Sequence, residues 1–300
     1  MKTQLIVLIS IFSPTFGFAQ PSLPPPPPEK IKILSWNIYL LPSIIKATGK
    51  AQRAALIGKT LKHSDYDVIV FQEAFQRKAR KKIFDQLKEQ FPYQAGPANQ
   101  KLISYRTNSG LWIFSKHPIV ATQSIVFKNR SGVDAFSRKG GLIAEISVHG
   151  TIIQVAATHL QNSGQPWVRQ SQCVEFYQRL LKPFHREGVP QVICGDFNIH
   201  RQSEEYNFML QTLHAEDGEL GGDIRWSYDR LSNDITSEPG TQQDLIDYIL
   251  LKLNQPFLIS ATRQIRRIQN RWHEKHQDLS DHYALEAELY FSSPWVVSSK

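Results

Sequence analysis

Six residues able to take part in catalysis follow, precede or lie within apolar runs of strand length. Glu73 directly follows Val-Ile-Val-Phe-Gln, His159 directly follows Val-Ala-Ala-Thr, and Asp196 directly follows Val-Ile-Cys-Gly. Acids that leave water at such positions are unfavourable unless a cation or a catalytic task compensates for the lost hydration. Side chains at strand ends are therefore predicted to converge on one rim of a sheet. The six residues are Asn37, Glu73, His159, Asp196, Asp281 and His282.

Each of these residues also has an ordinary structural interpretation. An Asn or Asp beside a strand is commonly a turn residue, and a single histidine is commonly a surface or internally satisfied side chain. Asp278, Asp281 and His282 could equally form a helix-capping region. One site explains all of the positions together, whereas the alternative requires a separate coincidence at every strand end. The sequence therefore favours a single catalytic centre.

Apolar runs of strand length alternate with amphipathic runs of helix length between Ile31 and Phe291. The strands come in pairs with helices between the pairs. This order predicts an α/β (α+β) protein with two packed mixed sheets and helices outside, a four-layer α/β/β/α sandwich. A turn is predicted at His149-Gly150, and 214–243 is the longest irregular stretch. Predicted strands span 31–41, 67–71, 110–115, 119–127, 141–148, 151–158, 191–194, 245–251 and 282–289, and predicted helices span 51–63, 78–90, 168–184 and 204–213.

The two ends of the chain differ in composition from the rest. Lys2, an apolar run from Leu5 to Phe12 and small residues before Ala19 predict a secretory signal at 1–19, cleaved after Ala19. A proline-rich spacer at 20–30 contains five consecutive prolines. One domain is expected at 31–292 and a tail at 293–300. The sequence thus predicts a secreted or periplasmic protein.

The chain is basic and contains few cysteines. Its formal net charge is +8, and loss of the signal segment would lower this charge by one, because Lys2 is the one charged residue there. A basic surface favours an anionic partner, whether nucleic acid, anionic lipid headgroups or phosphate esters. The two cysteines, Cys173 and Cys194, could form a disulfide in an exported protein or remain as two buried thiols.

Six short motifs resemble those of the endonuclease/exonuclease/phosphatase superfamily, which has a deoxyribonuclease I-like fold. They occur in the family's order and span nearly all of the predicted domain. Gly-Asp-x-Asn together with Ser-Asp-His at this spacing is a specific combination, whereas either one alone is a weak signal. The motifs are Ser35-Trp36-Asn37, Gln72-Glu73, Thr158-His159-Leu160, Gly195-Asp196-Phe197-Asn198, Asp247-Tyr248-Ile249 and Ser280-Asp281-His282-Tyr283.

The resemblance implies a divalent-metal site. Glu73, with Asn37 nearby, would hold Mg²⁺, with Mn²⁺ or Co²⁺ as alternatives. A hard cation prefers oxygen ligands and keeps several waters, so one or two protein ligands suffice. The cation would neutralise charge on the phosphate and stabilise the leaving oxygen. Asp281 would support the metal side of the site.

The resemblance also implies acid–base and positioning roles. His282 would be the general base that deprotonates the attacking water, and Asp247 would orient His282 and stabilise its charged form. Asp196 and Asn198 would position the water and a phosphate oxygen. His159 would donate a hydrogen bond to the phosphate or protonate the leaving group.

Further segments resemble bacterial sphingomyelinase C and its neutral relatives. Ser137-Arg138-Lys139-Gly140 corresponds to a Ser-x-Lys-Gly element, in which Lys139 could meet the substrate phosphate as a point charge. The resemblance implies a monomer, without a stable protein partner, that hydrolyses sphingomyelin or a related phospholipid at a membrane surface to ceramide and phosphocholine. The other segments are 36–42, 53–57, 110–119, 158–161 and 168–172.

Three departures from that family leave the substrate open. Where secreted sphingomyelinases often bear an exposed aromatic hairpin, 261–277 carries four arginines and one aromatic residue, Trp272, which better suits an anionic surface. The basic stretch after Glu73 predicts no second, edge metal. Arg225-Trp226-Ser227 stands where relatives often have Thr-Trp-Asp. A secreted DNA or RNA endonuclease, an inositol-phosphate or phosphoinositide phosphatase and a non-enzymatic binding protein are therefore alternatives, although the complete set of site residues argues against the last.

Overall fold

The computed structural model describes residues 30–42, 49–101, 106–162, 165–236, 240–255 and 258–291. The expected signal segment, the spacer up to residue 29 and the tail lie outside the described residues. The strands are β1 (Lys30–Leu40), β2 (Val68–Ala74), β3 (Tyr93–Ala95), β4 (Trp112–Ser115), β5 (Ile119–Val126), β6 (Gly140–Val148), β7 (Thr151–His159), β8 (Gln191–Asp196), β9 (Ala215–Glu216), β10 (Leu220–Gly221), β11 (Tyr228–Asp229), β12 (Gln243–Asp244), β13 (Asp247–Lys252), β14 (Leu258–Arg266), β15 (Gln269–His273), β16 (His276–Asp278) and β17 (Ala284–Phe291). The helices are α1 (Lys50–Leu61), α2 (Arg77–Leu87), α3 (Pro166–Phe176), α4 (Lys182–Phe184) and α5 (Glu204–Leu213), with a 3₁₀ turn at Gly132–Phe136 and a π-helical turn at Tyr177–Leu181.

The strands form two large sheets and two short ribbons. The first sheet has the order β10-β14-β17-β1-β2-β4-β3, and the second has the order β5-β6-β7-β8-β13-β9. β1 runs parallel to β2 and β7 runs parallel to β8, while most other neighbours are antiparallel. Both sheets are therefore mixed, as the sequence predicted. β11 pairs with β12, and β15 pairs with β16.

Side chains of β1 and β2 alternate between two apolar environments. Ile33 and Val70 belong to the core shared with the second sheet, whereas Leu34 and Ile69 pack with the helices on the other side. A strand that is covered on both faces contains a continuous apolar run instead of an alternation with polar residues. This burial explains the apolar run of β2 that ends at Gln72-Glu73.

Helices cover the outer face of each large sheet. Ile57 of α1 and Ile83 of α2 are buried with residues of the first sheet. Phe176 of α3 and Met209 of α5 are buried with residues of the second sheet. The predicted four-layer α/β/β/α sandwich is confirmed. The predicted helix at 168–184 is present as α3, the π-helical turn and α4 in succession.

The predicted turn at His149-Gly150 joins β6 to β7. Its two residues have φ angles of 50° and 88°, and Val148 pairs with Thr151 across it. Two successive positive φ angles match the twist of a two-residue hairpin, and glycine adopts such an angle without steric cost. This turn aligns β6 with β7 as far as His159.

The stretch 214–243, predicted to be irregular, contains short strands. β9 joins the second sheet beside β13, β10 joins the first sheet beside β14, and β11 pairs with β12. Two-residue strands carry no detectable periodicity of their own, because the pattern of alternation needs about four residues to be seen. The prediction was therefore wrong for the parts of this stretch that extend the large sheets.

The arginine-rich segment 261–277 is built into the fold more deeply than the sequence indicated. Arg263 is buried and donates from Nε to the carbonyl oxygen of Ile249 at 2.7 Å. Arg266 pairs with Glu286 at 3.0 Å, and Arg267 pairs with the buried Asp278. Three of the four arginines expected to meet an anionic surface therefore make ion pairs or hydrogen bonds within the protein.

Both cysteines are buried free thiols, so the structure contains no disulfide between Cys173 and Cys194. Burial raises the pKa of each thiol, which keeps it uncharged and unreactive at neutral pH. Within the described residues, no helix is long and apolar enough to cross a membrane.

Candidate active site

The predicted site residues meet at one end of the two large sheets. His159 ends β7 and is in register with Asp196 at the end of β8, and Asp196 is in register with Asp247 at the start of β13. β1 and β2 bring Asn37 and Glu73 to the same end of the first sheet. A cavity of about 370 Å³ opens there. The predicted residues that line it are Asn37, Glu73, His159, Asp196, Asn198, Asp281 and His282.

His282 and Asp247 form a buried hydrogen-bonded pair. The Nδ1 atom of His282 lies 2.8 Å from Oδ2 of Asp247, and its Nε2 atom lies 3.7 Å from Oδ2 of Asp196. Burial alone would lower the pKa of His282, but the carboxylates of Asp247 and Asp196 raise it well above its usual value. Because Nδ1 is bonded to Asp247, Nε2 is the ring nitrogen available to a substrate water.

The loop that carries His282 is attached to β1 by two hydrogen bonds and is braced by a third within the loop. Trp36 Nε1 donates to the carbonyl oxygen of His282 at 2.9 Å. Ser280 Oγ donates to the carbonyl oxygen of Asn37 at 2.5 Å and accepts from the backbone N–H of His282 at 3.3 Å. These bonds explain why residues more than 240 positions apart keep a fixed geometry.

Glu73 lies at the end of β2 in a strained conformation. Its φ angle is 56°, in the left-handed region that non-glycine residues adopt only where the surroundings impose it. Its Oε2 atom is buried and has no hydrogen-bond partner among the described residues. Burial, together with the nearby charge of Asp281, raises the pKa of Glu73 to about 8. The positive charges of Lys139 and His282 oppose this shift without cancelling it.

Asp281 and Asn37 complete this side of the cavity. Burial raises the pKa of Asp281, while His282 and the buried Arg53 oppose the shift. Asn37 donates from Nδ2 to Oδ2 of Asp196 at 2.9 Å, so it connects β1 of the first sheet to β8 of the second. Its Oδ1 atom accepts from the backbone N–H of Tyr39 at 3.1 Å.

The oxygen atoms around Glu73 fit a hard divalent cation. The unpartnered Oε2 atom of Glu73, the carboxylate of Asp281 and the amide of Asn37 supply oxygen ligands without a thiol or imidazole among them. Asp196, Asp247 and His282 also lie close enough to share a metal, with ligand atoms within 4.8 Å of one another. We favour the Glu73 side, because the 2.8 Å hydrogen bond to Asp247 occupies Nδ1 of His282, so a metal held by this second group would take Nε2, the ring nitrogen that faces a substrate water.

His159 is held as a neutral imidazole. Its Nε2 atom lies 3.1 Å from Nζ of Lys139, and an ammonium group has donors only, so Nε2 accepts and Nδ1 carries the proton. Burial lowers the pKa of His159 well below its usual value, and the positive charge of Lys139 adds to this effect. The Nδ1 atom is buried without a partner among the described residues, and Nε2 also lies 3.4 Å from Oδ2 of Asp196.

Lys139 lies behind His159 instead of on the wall of the cavity. It is buried, and its ammonium group contacts Oδ2 of Asp134 at 3.1 Å and the carbonyl oxygen of Leu160 at 2.8 Å. The sequence suggested Lys139 as a direct phosphate contact. The geometry instead makes it the group that fixes the tautomer of His159.

The Gly195-Asp196-Phe197-Asn198 segment needs a glycine and a left-handed turn. A Cβ atom on Gly195 would lie 2.2 Å from the carbonyl oxygen of Thr158, so only glycine allows β8 to approach β7 here. Asn198 has a φ of 52°, a region that asparagine tolerates. Its backbone N–H donates to Oδ1 of Asp196 at 3.0 Å, and burial, together with the charge of Asp247, raises the pKa of Asp196 to about 6.

Sequence reasoning missed several residues that shape the site. Ser227 Oγ is buried and accepts from the backbone N–H groups of Ile246 and Asp247, each at 3.2 Å. Arg53 donates to the carbonyl oxygens of Ile38, Tyr39 and Leu279. These side chains act on backbone groups, so their types alone carry no catalytic signal. Cavity-lining residues that were not predicted include Tyr39, His200, Tyr228 and Gln242.

A family model described as the endonuclease/exonuclease/phosphatase family matches residues 34–282. Over 245 residues the chain is 28% identical to Sphingomyelinase C 2 of Leptospira interrogans, which covers 74% of this chain and 39% of that protein. The chain spans about half or less of the length of the two Leptospira relatives that it matches. It is 25% identical to Phospholipase C of Staphylococcus aureus, over 86% of each chain.

Among solved structures, the chain resembles beta toxin of Staphylococcus aureus in a variant with bound magnesium ions. The TM-score is 0.79 and the sequence identity is 25%, over 88% of this chain and 100% of that chain.

Proposed function

The chain belongs to the endonuclease/exonuclease/phosphatase family. We propose that it is a divalent-metal-dependent phosphodiesterase that hydrolyses sphingomyelin, or a related phospholipid, to phosphocholine and the lipid alcohol, which is ceramide in the case of sphingomyelin. The observation that carries the proposal is the hydrogen-bonded Asp247–His282 pair, which faces the same cavity as the unpartnered carboxylate of Glu73. The similarity to sphingomyelinase C and phospholipase C sequences supports the choice of a phospholipid.

The proposed reaction begins with a water molecule beside His282. Nε2 of His282 takes a proton as the water oxygen attacks phosphorus, and Asp247 stabilises the imidazolium that forms. The bond from phosphorus to the lipid oxygen breaks, that oxygen takes a proton from solvent water, and His282 returns the proton it took to solvent, so that one water is consumed. When bound by Glu73 and Asn37, with Asp281 in support, a divalent cation would neutralise phosphate charge, stabilise the leaving oxygen and offset the carboxylates that raise the pKa of His282.

His159 and Asn198 are the proposed contacts for the phosphate. His159 lines the cavity, is neutral, and has no partner for its Nδ1–H group in the part of the chain that the structure describes, which favours hydrogen-bond donation over proton transfer to the leaving group. Asn198 lines the cavity and donates from Nδ2 to the carbonyl oxygen of Leu160 at 3.3 Å, leaving a second amide hydrogen for a ligand. Asp196, between His282 and Asn37, would position the attacking water.

Turnover of competing substrates tests the proposal. Sphingomyelin vesicles, supercoiled plasmid and inositol phosphates are each incubated with the purified chain, once with Mg²⁺ and once with a chelator. We expect Mg²⁺-dependent release of phosphocholine from vesicles while the plasmid stays intact. Plasmid nicking or phosphate release without phosphocholine would refute the phospholipid assignment and favour the nuclease or the phosphatase.

We also propose that the protein is exported, with cleavage after Ala19, and acts outside the cytoplasm. The support is the composition of residues 1–19, an apolar run between Lys2 and small residues. Sequencing the amino terminus of the protein recovered from periplasm and medium tests this. A chain that keeps Met1 and stays in the cytoplasm would contradict it.

A further inference from the structure

Three apolar side chains beside the mouth of the active-site cavity point into solvent. Val133 and Phe136 belong to the 3₁₀ turn, Trp167 belongs to the first turn of α3, and their exposed fractions are 76%, 64% and 59%. We call these three residues the apolar rim. Single exposed apolar residues are common on protein surfaces, whereas a group of them beside a binding cavity indicates a contact surface.

Hydrogen bonds hold the two segments of the apolar rim together and connect them to the cavity. Asp134, within the 3₁₀ turn, accepts from the backbone N–H of Asn162 at 2.8 Å, and Asn162 lines the cavity. Asn129, just before the turn, donates from its side chain to Ser171, one helical turn beyond Trp167. The apolar rim therefore has a fixed position at the edge of the active site.

The β15–β16 hairpin does not offer an equivalent surface. Its aromatic residue, Trp272, stacks on His276 with 5.0 Å between ring centroids and donates from Nε1 to the carbonyl oxygen of Asp278 at 2.8 Å. Trp272 also packs so closely on Gly49 that a Cβ atom there would lie 2.2 Å from its ring. The indole is thus held by the protein and is not available to a partner.

The charges around the apolar rim are compatible with phosphate groups. The acids of the two segments are internally paired, Asp134 with Lys139 at 3.1 Å and Glu175 with Arg179. Lys128, on the loop leading to the 3₁₀ turn, is exposed. Lipid phosphates would therefore meet a neutral to positive surface around the apolar side chains.

We propose that the apolar rim inserts into the interfacial region of a phospholipid bilayer and places the cavity mouth against the headgroups. The inference rests on the proposed phospholipid substrate. The scissile phosphodiester of a membrane lipid lies at headgroup level, so the cavity has to face the membrane during catalysis. Apolar side chains beside the mouth are buried by the bilayer in that orientation, and this burial favours binding.

A triple variant tests the role of the apolar rim. Val133→Ser, Phe136→Ser and Trp167→Ser are combined, and binding to sphingomyelin–phosphatidylcholine vesicles is measured by sedimentation. Turnover of the monomeric substrate p-nitrophenyl phosphocholine is measured in parallel. We expect vesicle binding to fall by at least about tenfold, given the apolar area removed, while turnover of the monomeric substrate is unchanged. The melting temperature confirms that the variant is folded.

A matched control replaces exposed apolar residues at the end of the second sheet that lies opposite the cavity. Val120 adjoins Ile119, which pairs with Ile146, far from His159. The Val120→Ser, Leu253→Ser variant should bind vesicles like the wild type. Equal binding by the rim variant and this control would overturn the inference. A wild-type chain that turned over neither substrate would instead refute the proposed function, and the binding comparison would still decide the role of the apolar rim.

A fluorescent probe gives a second, direct measurement. Phe136→Cys is labelled with bimane and compared with labelled Val120→Cys, while the two native cysteines are buried and so protected from the reagent. We expect a blue shift at position 136 and none at position 120 when vesicles are added. Equal shifts at the two positions, or none at position 136, would overturn the inference. A triple rim variant that loses self-association but keeps vesicle binding would also overturn it, because the apolar rim would then be a contact between copies of the chain.

Discussion

Glu73 combines features that are unfavourable in the protein without a cation. It has a positive φ angle, a buried oxygen without a partner among the described residues and a pKa raised to about 8 by burial and by Asp281. Backbone strain and uncompensated burial of an acid persist where the surrounding structure enforces them, commonly at functional sites. The sequence identified Glu73 by its position directly after the apolar run of β2, and the strain is the feature that only the structure could add.

Replacing Glu73 should separate stability from metal binding. Because the folded-state pKa lies above the unfolded value of 4.5, the folded protein binds the proton more tightly, and its metal-free stability should fall as the pH rises from about 4.5 to about 8. Glu73→Gln removes this dependence, so at pH 8 the metal-free variant should melt above the wild type. Mg²⁺ should raise the melting temperature of the wild type only.

Thermal unfolding with Mg²⁺ and with a chelator measures both effects of the Glu73 substitution. Glu89→Gln is the control, because Glu89 is exposed and, among the described residues, its ion pair is a long surface contact of 3.9 Å with Lys62. It should behave like the wild type in every condition. An equal Mg²⁺ response in Glu73→Gln and the wild type would place the cation elsewhere in the site.

The His282–Asp247 pair should carry the acid–base chemistry. His282→Ala removes the proposed base, and Asp247→Asn removes the charge that orients and stabilises it. Each should lower kcat by roughly two to four orders of magnitude, the usual size of such contributions. Initial rates on p-nitrophenyl phosphocholine with saturating Mg²⁺ measure the loss without involving a membrane.

The fold supplies a matched control for the His282–Asp247 pair. His117 Nε2 lies 3.4 Å from Oδ1 of Asp67, at the opposite end of the first sheet, where Val68 pairs with Ser115. His117→Ala should retain the wild-type rate. A rate near the wild-type value for His282→Ala would show that another group deprotonates the water.

At the scale of elements, β14 and the hairpin that follows it were the hardest part to predict. β14 lies within the first sheet between β10 and β17, yet its buried face carries Arg263, so the alternation of apolar and polar residues is obscured. The partners of Arg263, Ile249 and Asp217, lie on other elements. A charged residue that is neutralised by distant partners looks like a surface residue in the sequence.

Two arginines of the hairpin region should therefore differ in their effect on stability. Arg267 makes two bonds to the buried Asp278, at 2.8 and 2.7 Å. Arg271 is exposed, and its hydrogen bond within the described part of the chain is a long one of 3.4 Å to the carbonyl oxygen of Glu274. Arg267→Ser leaves a buried carboxylate without its main partner and should lower the free energy of unfolding by about 1–3 kcal/mol. Arg271→Ser should change it by less than about 0.5 kcal/mol.

Urea unfolding of both arginine variants at neutral pH measures this difference. Similar losses in the two variants would show that the Arg267–Asp278 pair contributes little. A loss of vesicle binding in Arg267→Ser that tracks its loss of stability would be a folding effect. It would not support the anionic-surface role that the arginine-rich sequence had suggested for this residue.

At the scale of the molecule, periodicity and strand-end chemistry were sufficient to predict the layers and the end of the sheets at which the proposed site residues meet. Apolar runs covered on both faces identify the central strands, and Glu73 and Asp196 mark their ends. The sequence could not show that Lys139 lies behind His159, because tertiary packing decides which of the two polar side chains faces the cavity. Ser227 was missed for a related reason, since its hydroxyl serves only backbone N–H groups.

The distribution of charge over the whole molecule predicts how it meets a membrane. The net charge is +8, and the exposed face of α2, which begins at the cavity end of β2, carries Arg77, Lys78, Lys81 and Lys82. Each basic residue near an anionic surface contributes about 1 kcal/mol, and salt screens this attraction. Raising the salt concentration from about 0.05 to about 0.5 M should therefore weaken binding to vesicles containing phosphatidylserine by at least about tenfold. Binding to purely zwitterionic vesicles depends on the apolar rim and should change little with salt concentration. If salt weakened binding to the two vesicle types equally, the basic surface would serve another partner.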